Sequence, residues 1–389
     1  MSLTKPIPYG RQHITEADIN AVVKSLESDF LTQGPTIEAF ENNFAEYIGC
    51  KYAIAVSNGT AALHLSALAL GVNEKTRVIT SPITFAASAN CILYCGGEIQ
   101  FSDIEEQSAT LDINKVRQLL INSPKGTYQG IIPVDFAGFP IDMESFRQLA
   151  DEFDCWLLED SCHSPGGFFI DSKGIQQNCG NGQYADLAIF SFHPVKHIAC
   201  GEGGMITTNN KDLYEKLLTL RTHGITKDGA KFKSKTQTDG AWYYEMQELG
   251  YNYRLPDLNA ALGISQLERA NGGIERRREI AKKYDEVFRN TKIKTFDNPD
   301  GHAYHLYVIK VEDRLGLYNH LKENGIYSQV HYIPVHTLPY YQDLGWKRGD
   351  FPISESYYEQ CLSLPMYPSL TDEQQEFVIN TTKNYYYGN

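Results

Sequence analysis

The strongest constraint on the fold is an alternation running from about residue 50 to 210. Short apolar, β-branched runs ("YAIAVS", "RVITSP", "EIQFSD", "GIIPVDF", "CWLLED", "DLAIFSF" and "GMITTN") are separated by stretches with helical spacing of their apolar residues. This strand-and-helix succession predicts an α/β fold with a mainly parallel seven-stranded sheet covered by helices. In such sheets ligands bind where strands end and loops begin. Several runs break into polar residues there: Ser57-Asn58-Gly59-Thr60, Asp160, and the stretch from Ser191 to Lys196. The pattern places these breaks along one edge of the sheet.

A chain of 389 residues, 42% hydrophobic and 21% charged, is long enough for two domains. A net charge of -13 argues against a nucleic-acid surface, which needs clustered lysine and arginine. The basic run "ERRRE" (275–279) reads as a solvated helix face. No stretch approaches the roughly eighteen consecutive apolar residues of a spanning helix, and "MSLTKPIPYGRQ" has no apolar secretory core. The expectation is a soluble cytoplasmic protein with no membrane partner. The eight cysteines lie scattered in apolar surroundings without a C-x-x-C pair, so they read as buried free thiols.

The polar, lysine-rich stretch "TKDGAKFKSKTQTDG" (226–240) reads as a mobile loop. Beyond "GYNYRLPDLNAALGISQLE" a long helical pattern runs through "RRREIAKKYDEVFRN", and the rest mixes strands and helices. A large domain is expected over 15–264 and a smaller α+β C-terminal domain over 265–389, joined by an N-terminal arm, 1–14.

Chemistry concentrates in "IFSFHPVKHIACGEGGMI" (189–206). His193 and His197 stand four apart, as zinc-binding imidazoles do on a helix. Pro194 interrupts that helix, and no glutamate base follows the first histidine, so no metal is expected. Cys200 has no partner at redox spacing, and "GEGG" lacks the endings of a phosphate loop. Lys196 remains. A lysine becomes a nucleophile when its charge is disfavoured or when it is held as an imine by an aldehyde such as pyridoxal phosphate (PLP). PLP needs a carboxylate against its pyridine nitrogen, and Asp160 ends a strand one βα unit earlier, where it otherwise reads as a helix N-cap. Its phosphate needs donors without bulk. Gly59, Thr60 and Ala61 open an alanine-rich helix, where N–H groups point at an anion, and Ser191 adds a hydroxyl; ordinary N-capping explains the turn equally well. Phe85 offers a ring for the pyridine face, or a core residue.

Together "SNGTAAL", "TFAASAN", "EDSCHSPGG", "SFHPVKHIACGEGGM" and "GYNYRLPDLNAALG" resemble the successive motifs of the DegT/StrS nucleotide-sugar aminotransferases, a branch of the fold-type-I PLP enzymes. The resemblance implies Lys196 as the Schiff-base lysine, Asp160 as partner of the pyridine nitrogen, His163 near the phenolic oxygen, and Phe85 stacked on the ring. It implies Gly59, Thr60, Ala61 and Ser191 at the phosphate or nearby substrate groups. Asn252 of "GYNYR" would reach the phosphate of a neighbouring subunit, giving a homodimer with shared sites. Ser164 and Pro165 depart from the commoner E-D-x-x-H-A-x-G form, and His197 stands where a proline is expected.

"PYGRQ", "LTQGP", "SQVHYIPVHTLPYY" and "SLPMYPSLTDEQQ" further resemble the branch of this family that serves pseudaminic acid synthesis. That branch implies L-glutamate as donor and the 4-keto group of a UDP-linked 2-acetamido-2,6-dideoxy-hexos-4-ulose as acceptor, with Tyr9, Leu31, Thr32, His331, Tyr332, Ile333, Pro334 and Tyr340 as substrate contacts. Lys196 would carry the proton in both half-reactions of a ping-pong transfer. The rivals are an aminotransferase for another 4-keto or 3-keto sugar on dTDP or GDP, and a non-catalytic PLP-binding regulator. Lys196 disfavours the sugar dehydratases that carry histidine there, and the missing glycine fingerprint disfavours an NAD-dependent dehydrogenase.

Overall fold

In a computed structural model, which describes residues 6–234 and 240–388, all seven apolar runs become strands of one sheet. They are β1 (Tyr52–Val56), β2 (Arg77–Thr80), β3 (Glu98–Phe101), β4 (Gly130–Ile132), β5 (Trp156–Asp160), β6 (Leu187–Ser191) and β7 (Gly204–Thr208). Their spatial order is β1-β7-β6-β5-β4-β2-β3. Every pairing is parallel except those of β7, which runs antiparallel to both β6 and β1. Two reversals restore the direction of β1, so the C-terminal ends of β1, β2, β5 and β6 share one edge.

Side-chain alternation divides the core between the two faces of the sheet. Ile189 packs with Ile54, Leu158 and the helix α1 (Gly59–Ala69), whereas its neighbour Phe190 packs with Phe40, Phe44 and Leu255. Burying each of these large side chains contributes roughly 1.5–3 kcal/mol. Helix α1 is alanine-rich because it lies tightly on the sheet: nine of its eleven residues are buried. At its first residue a Cβ on Gly59 would stand 2.9 Å from the Ser191 Cβ, so glycine permits the approach of α1 to the end of β6.

A second core forms where helix α4 (Ala270–Phe288) and the terminal helix Asp372–Tyr387 cover a three-stranded antiparallel sheet of Lys294–Thr295, Tyr307–Lys310 and Cys361–Leu364. Residues Ile7–Pro8 pair with Ile326–Tyr327, so the N-terminal arm is tied to this region; residues 1–5 lie outside the described residues. The boundary expected between residues 264 and 265 falls inside one helix, α3 (Asp257–Leu267).

One expectation is corrected and another is refined. The run 275–279 is not simply a solvated face: Arg277 is only 1% exposed, held by the carbonyl oxygens of Tyr304, His305 and Met366 at 3.0, 3.3 and 2.9 Å. The stretch read as a loop begins in a two-stranded pairing, Ile225–Thr226 with Glu245–Met246, and carries a short 3-10 turn at Gly229–Lys231; residues 235–239 lie outside the described residues. All eight cysteines are free thiols, five buried and three half-buried. Among the described residues no helix is long and apolar enough to cross a membrane.

Candidate active site

The shared edge opens into a cavity of about 640 Å³, within the roughly 300–1,000 Å³ of small-molecule sites. Each strand delivers one wall. β5 and β6 are parallel neighbours with Asp160 beside Ile189, so Asp160 and the turn after Ser191 emerge together. That turn closes when the Lys196 N–H donates to the His193 carbonyl at 2.8 Å, which carries Lys196 back over the sheet edge. β1 delivers the start of α1, and β2 leads to Phe85 and α2 (Ala87–Tyr94).

Gly59, Thr60, Ala61, Phe85, Asp160, His163, Ser191 and Lys196 all line this cavity, joined by Tyr9, His331 and Tyr332. Asn252, Leu31, Thr32, Ile333, Pro334 and Tyr340 do not line it. Asn252 is exposed and bridges Thr222, while Leu31 and Thr32 are fixed against Asp257 and Pro256. Ile333 and Tyr340 are exposed. The expected roles of the α1 amides are also redistributed. The Ala61 N–H already donates to the Asn58 side chain at 2.8 Å, an N-cap bond, which leaves Gly59 and Thr60 as the amides available to an anion.

Asp160 is buried and doubly held. Its Oδ2 accepts from Ser88 Oγ at 2.6 Å and its Oδ1 from the Cys162 N–H at 3.2 Å. Because a hydroxyl has one proton, and Ser88 gives its proton to the carboxylate, Thr84 must be the donor in the 2.8 Å contact between Thr84 and Ser88. The chain Thr84 to Ser88 to Asp160 fixes the carboxylate's orientation. Sequence reasoning missed it, although the T-x-x-x-S spacing across a helix start was legible.

Lys196 is half-buried, and desolvation lowers its ammonium pKa against the opposing pull of Cys162 and Asp160. Its Nζ lies 3.5 Å from His305 Nε2. Burial, reinforced by the Lys196 charge, also pushes His163 and His305 well down and His331 to about 3, so all three rings are neutral near pH 7. The Ala137 N–H donates to His163 Nδ1 at 3.1 Å, which puts the ring's own proton on Nε2, 3.2 Å from the Tyr332 hydroxyl. His305 stands 109 residues from Lys196 in the chain, with no local motif to announce it. Tyr253, whose hydroxyl meets His64 Nδ1 at 3.2 Å, was hidden inside "GYNYR" beside the expected Asn252.

The residues fit PLP on observations of this chain alone. The Phe85 ring lines the cavity yet is 63% exposed, and among the described residues it meets another ring only at a tilt, Tyr332 at 6.3 Å between centroids. Glycine at 59 leaves the helix start free of side-chain bulk beside Ser191. A carboxylate with two fixed donors and an amine with a depressed pKa occupy the same cavity. A phosphate, a pyridine nitrogen and an aldehyde each find a complementary group, and with the seven-stranded sheet this defines a PLP enzyme of fold type I.

The chain belongs to the DegT/DnrJ/EryC1/StrS aminotransferase family, whose model matches residues 12–383. It is 36% identical over 390 residues to the UDP-4-amino-4,6-dideoxy-N-acetyl-beta-L-altrosamine transaminase of Campylobacter jejuni strain 81-176, covering 96% of each chain. The PMP form of Spr1654 from Streptococcus pneumoniae superposes with a TM-score of 0.88 at 29% identity, covering 97% of this chain and 98% of that one. Helicobacter pylori PseC, an aminotransferase involved in pseudoaminic acid biosynthesis, superposes at 0.85 with 28% identity over 98% and 99% of the two chains. The protein is a PLP-dependent sugar aminotransferase.

Proposed function

We propose that this enzyme moves the amino group of L-glutamate to the 4-keto position of a UDP-linked 2-acetamido-2,6-dideoxy-hexos-4-ulose, as in pseudaminic acid synthesis. The observation that carries the reaction type is the meeting of Lys196 and Asp160 in one cavity; the sugar rests on the likeness to the Campylobacter transaminase. In this reading Lys196 binds the cofactor aldehyde and Asp160 pairs with its pyridine nitrogen. Gly59, Thr60 and Ser191 hold the phosphate, Phe85 covers the ring, and His163 offers its Nε2 proton near the phenolic oxygen. Ala61 contributes its methyl side, since its amide is engaged by Asn58.

PLP when bound supplies an electron sink for the pair left behind as a proton departs from the amino-bearing carbon. The ε-amine of Lys196 takes that proton in the first half-reaction and returns one to the sugar carbon in the second. Its depressed pKa raises the fraction present as free amine, and the neutral histidines around it add no competing charge. Tyr9, His331 and Tyr332 form the substrate side of the cavity. A second copy of the chain would bring Asn252 to the neighbouring phosphate, with Leu31, Thr32, Ile333, Pro334 and Tyr340 as outer substrate contacts. We also propose two domains divided near residue 265.

The test treats PLP-loaded protein first with L-glutamate and then with keto-sugars. One equivalent of 2-oxoglutarate per site is expected, followed by an aminated UDP-sugar identified by mass. Absence of 2-oxoglutarate removes glutamate as donor. Turnover with only dTDP- or GDP-linked sugars removes the UDP assignment and leaves the aminotransferase intact.

A further inference from the structure

Lys196 lines two cavities, the one described above and a second of about 270 Å³ on its other side. Their chemistry is opposite. Among the described residues no arginine lines the first, whereas Arg11, Arg269, Arg276 and Arg277 line the second and no acidic residue does. We infer that this basic recess receives a carboxylate of the acidic amino donor, placing the donor's amine towards Lys196.

The arginines differ in what already satisfies them. Arg269 is paired with Asp18, and Arg276 with Asp372 and Glu279. Among the described residues Arg277 has no carboxylate partner: it donates to three carbonyl oxygens and leaves its buried Nε–H without an acceptor. Burial depresses its pKa to about 9, the mark of a cation lacking a counter-charge. Arg269 and His197 also line the recess, and each keeps one buried guanidinium or ring nitrogen, Nε and Nδ1, without a hydrogen-bond partner among the described residues. Arg11 is exposed at the rim and makes no hydrogen bond or ion pair among the described residues. A buried cation is stable when an anion with hydrogen-bond acceptors completes it, and a planar carboxylate matches the guanidinium fork. Arg277 also donates to the carbonyl of His305, whose ring touches Lys196, so the recess and the reactive amine share one support.

This inference rests on the acidic-donor reading but is tested apart from it. Glutarate, a dicarboxylate with no amine to transfer, is titrated calorimetrically into the PLP-loaded protein and into its Arg11→Gln variant, and into Arg277→Lys where thermal melting shows that variant folded. One glutarate per chain is expected, weakened about tenfold or more by loss of the rim cation, with a matching rise in KM for glutamate and an unchanged KM for the keto-sugar. The inference is overturned if glutarate does not bind, if Arg11→Gln binds it as wild type does, or if only the sugar's KM rises, since the recess would then serve the nucleotide diphosphate. Arg11-dependent glutarate binding without any glutamate half-reaction would uphold the recess and refute the donor assignment.

Discussion

Glu159 and Asp160 are consecutive carboxylates of one strand, and the alternation of β5 sends them to opposite faces of the sheet. Asp160 enters the cavity near a lysine and accepts two hydrogen bonds from fixed donors. Glu159 enters a closed cluster in which its carboxyl, that of Asp135 and the Cys179 thiol lie within 4.8 Å of one another. No cation pairs with either acid among the described residues. Burial raises the pKa of both carboxyls, and the charge of Asp135 raises that of Glu159 further, so this pair retains a proton while Asp160 faces Lys196. The same functional group one residue apart becomes a counter-charge on one face and a neutral brace on the other. The brace has a purpose in the geometry: Ser164 Oγ donates to Asp135, which ties the turn carrying Ala137 to the segment carrying His163.

The largest break in this comparison is Asp160→Ala. Loss of a close counter-charge worth about 1–3 pKa units should slow the glutamate half-reaction about 10- to 1,000-fold, read in single-turnover kinetics as 2-oxoglutarate release. Glu159→Gln measured alongside should stay within about twofold if the brace needs only a neutral hydrogen-bonding group. An equal loss in both variants would erase the distinction between the faces. Ser88→Ala sharpens the Asp160 side: it removes the 2.6 Å donor and should cost about 1 kcal/mol, or roughly fivefold in the same rate.

The smallest effect concerns stability. A carboxyl whose pKa is raised by folding contributes stability that is fully present below its unfolded value and is lost as pH rises through the folded one. Thermal melts between about pH 5 and 8 should therefore show wild type declining above the ordinary carboxylate range, with a shallower decline for Glu159→Gln, which has no proton to lose. A steeper decline in the variant would contradict a proton-sharing pair.

Legibility in the sequence follows the range of the interactions. The seven strands were readable because each is a local apolar run, and Lys196, Asp160 and Phe85 were readable because each sits where such a run breaks. Ala61 was placed among the anion donors since the turn alone does not tell which amide the Asn58 cap will take. The burial of Arg277 depends on carbonyls of Tyr304, His305 and Met366, which no local charge pattern reports. His305 meets Lys196 through folding alone. Asn252, Leu31, Thr32, Ile333, Pro334 and Tyr340 came from likeness to a family, and a single chain leaves them outside its cavity.

In the proposed mechanism Lys196, opposite Asp160, is the residue that binds the cofactor. Borohydride reduction of the PLP-loaded protein, followed by peptide mass mapping, tests it most directly. One phosphopyridoxyl group per chain is expected on the peptide containing Lys196, absent from Lys196→Ala together with the visible absorbance band. Stoichiometric label on any other lysine, or an unchanged band in Lys196→Ala, would contradict it.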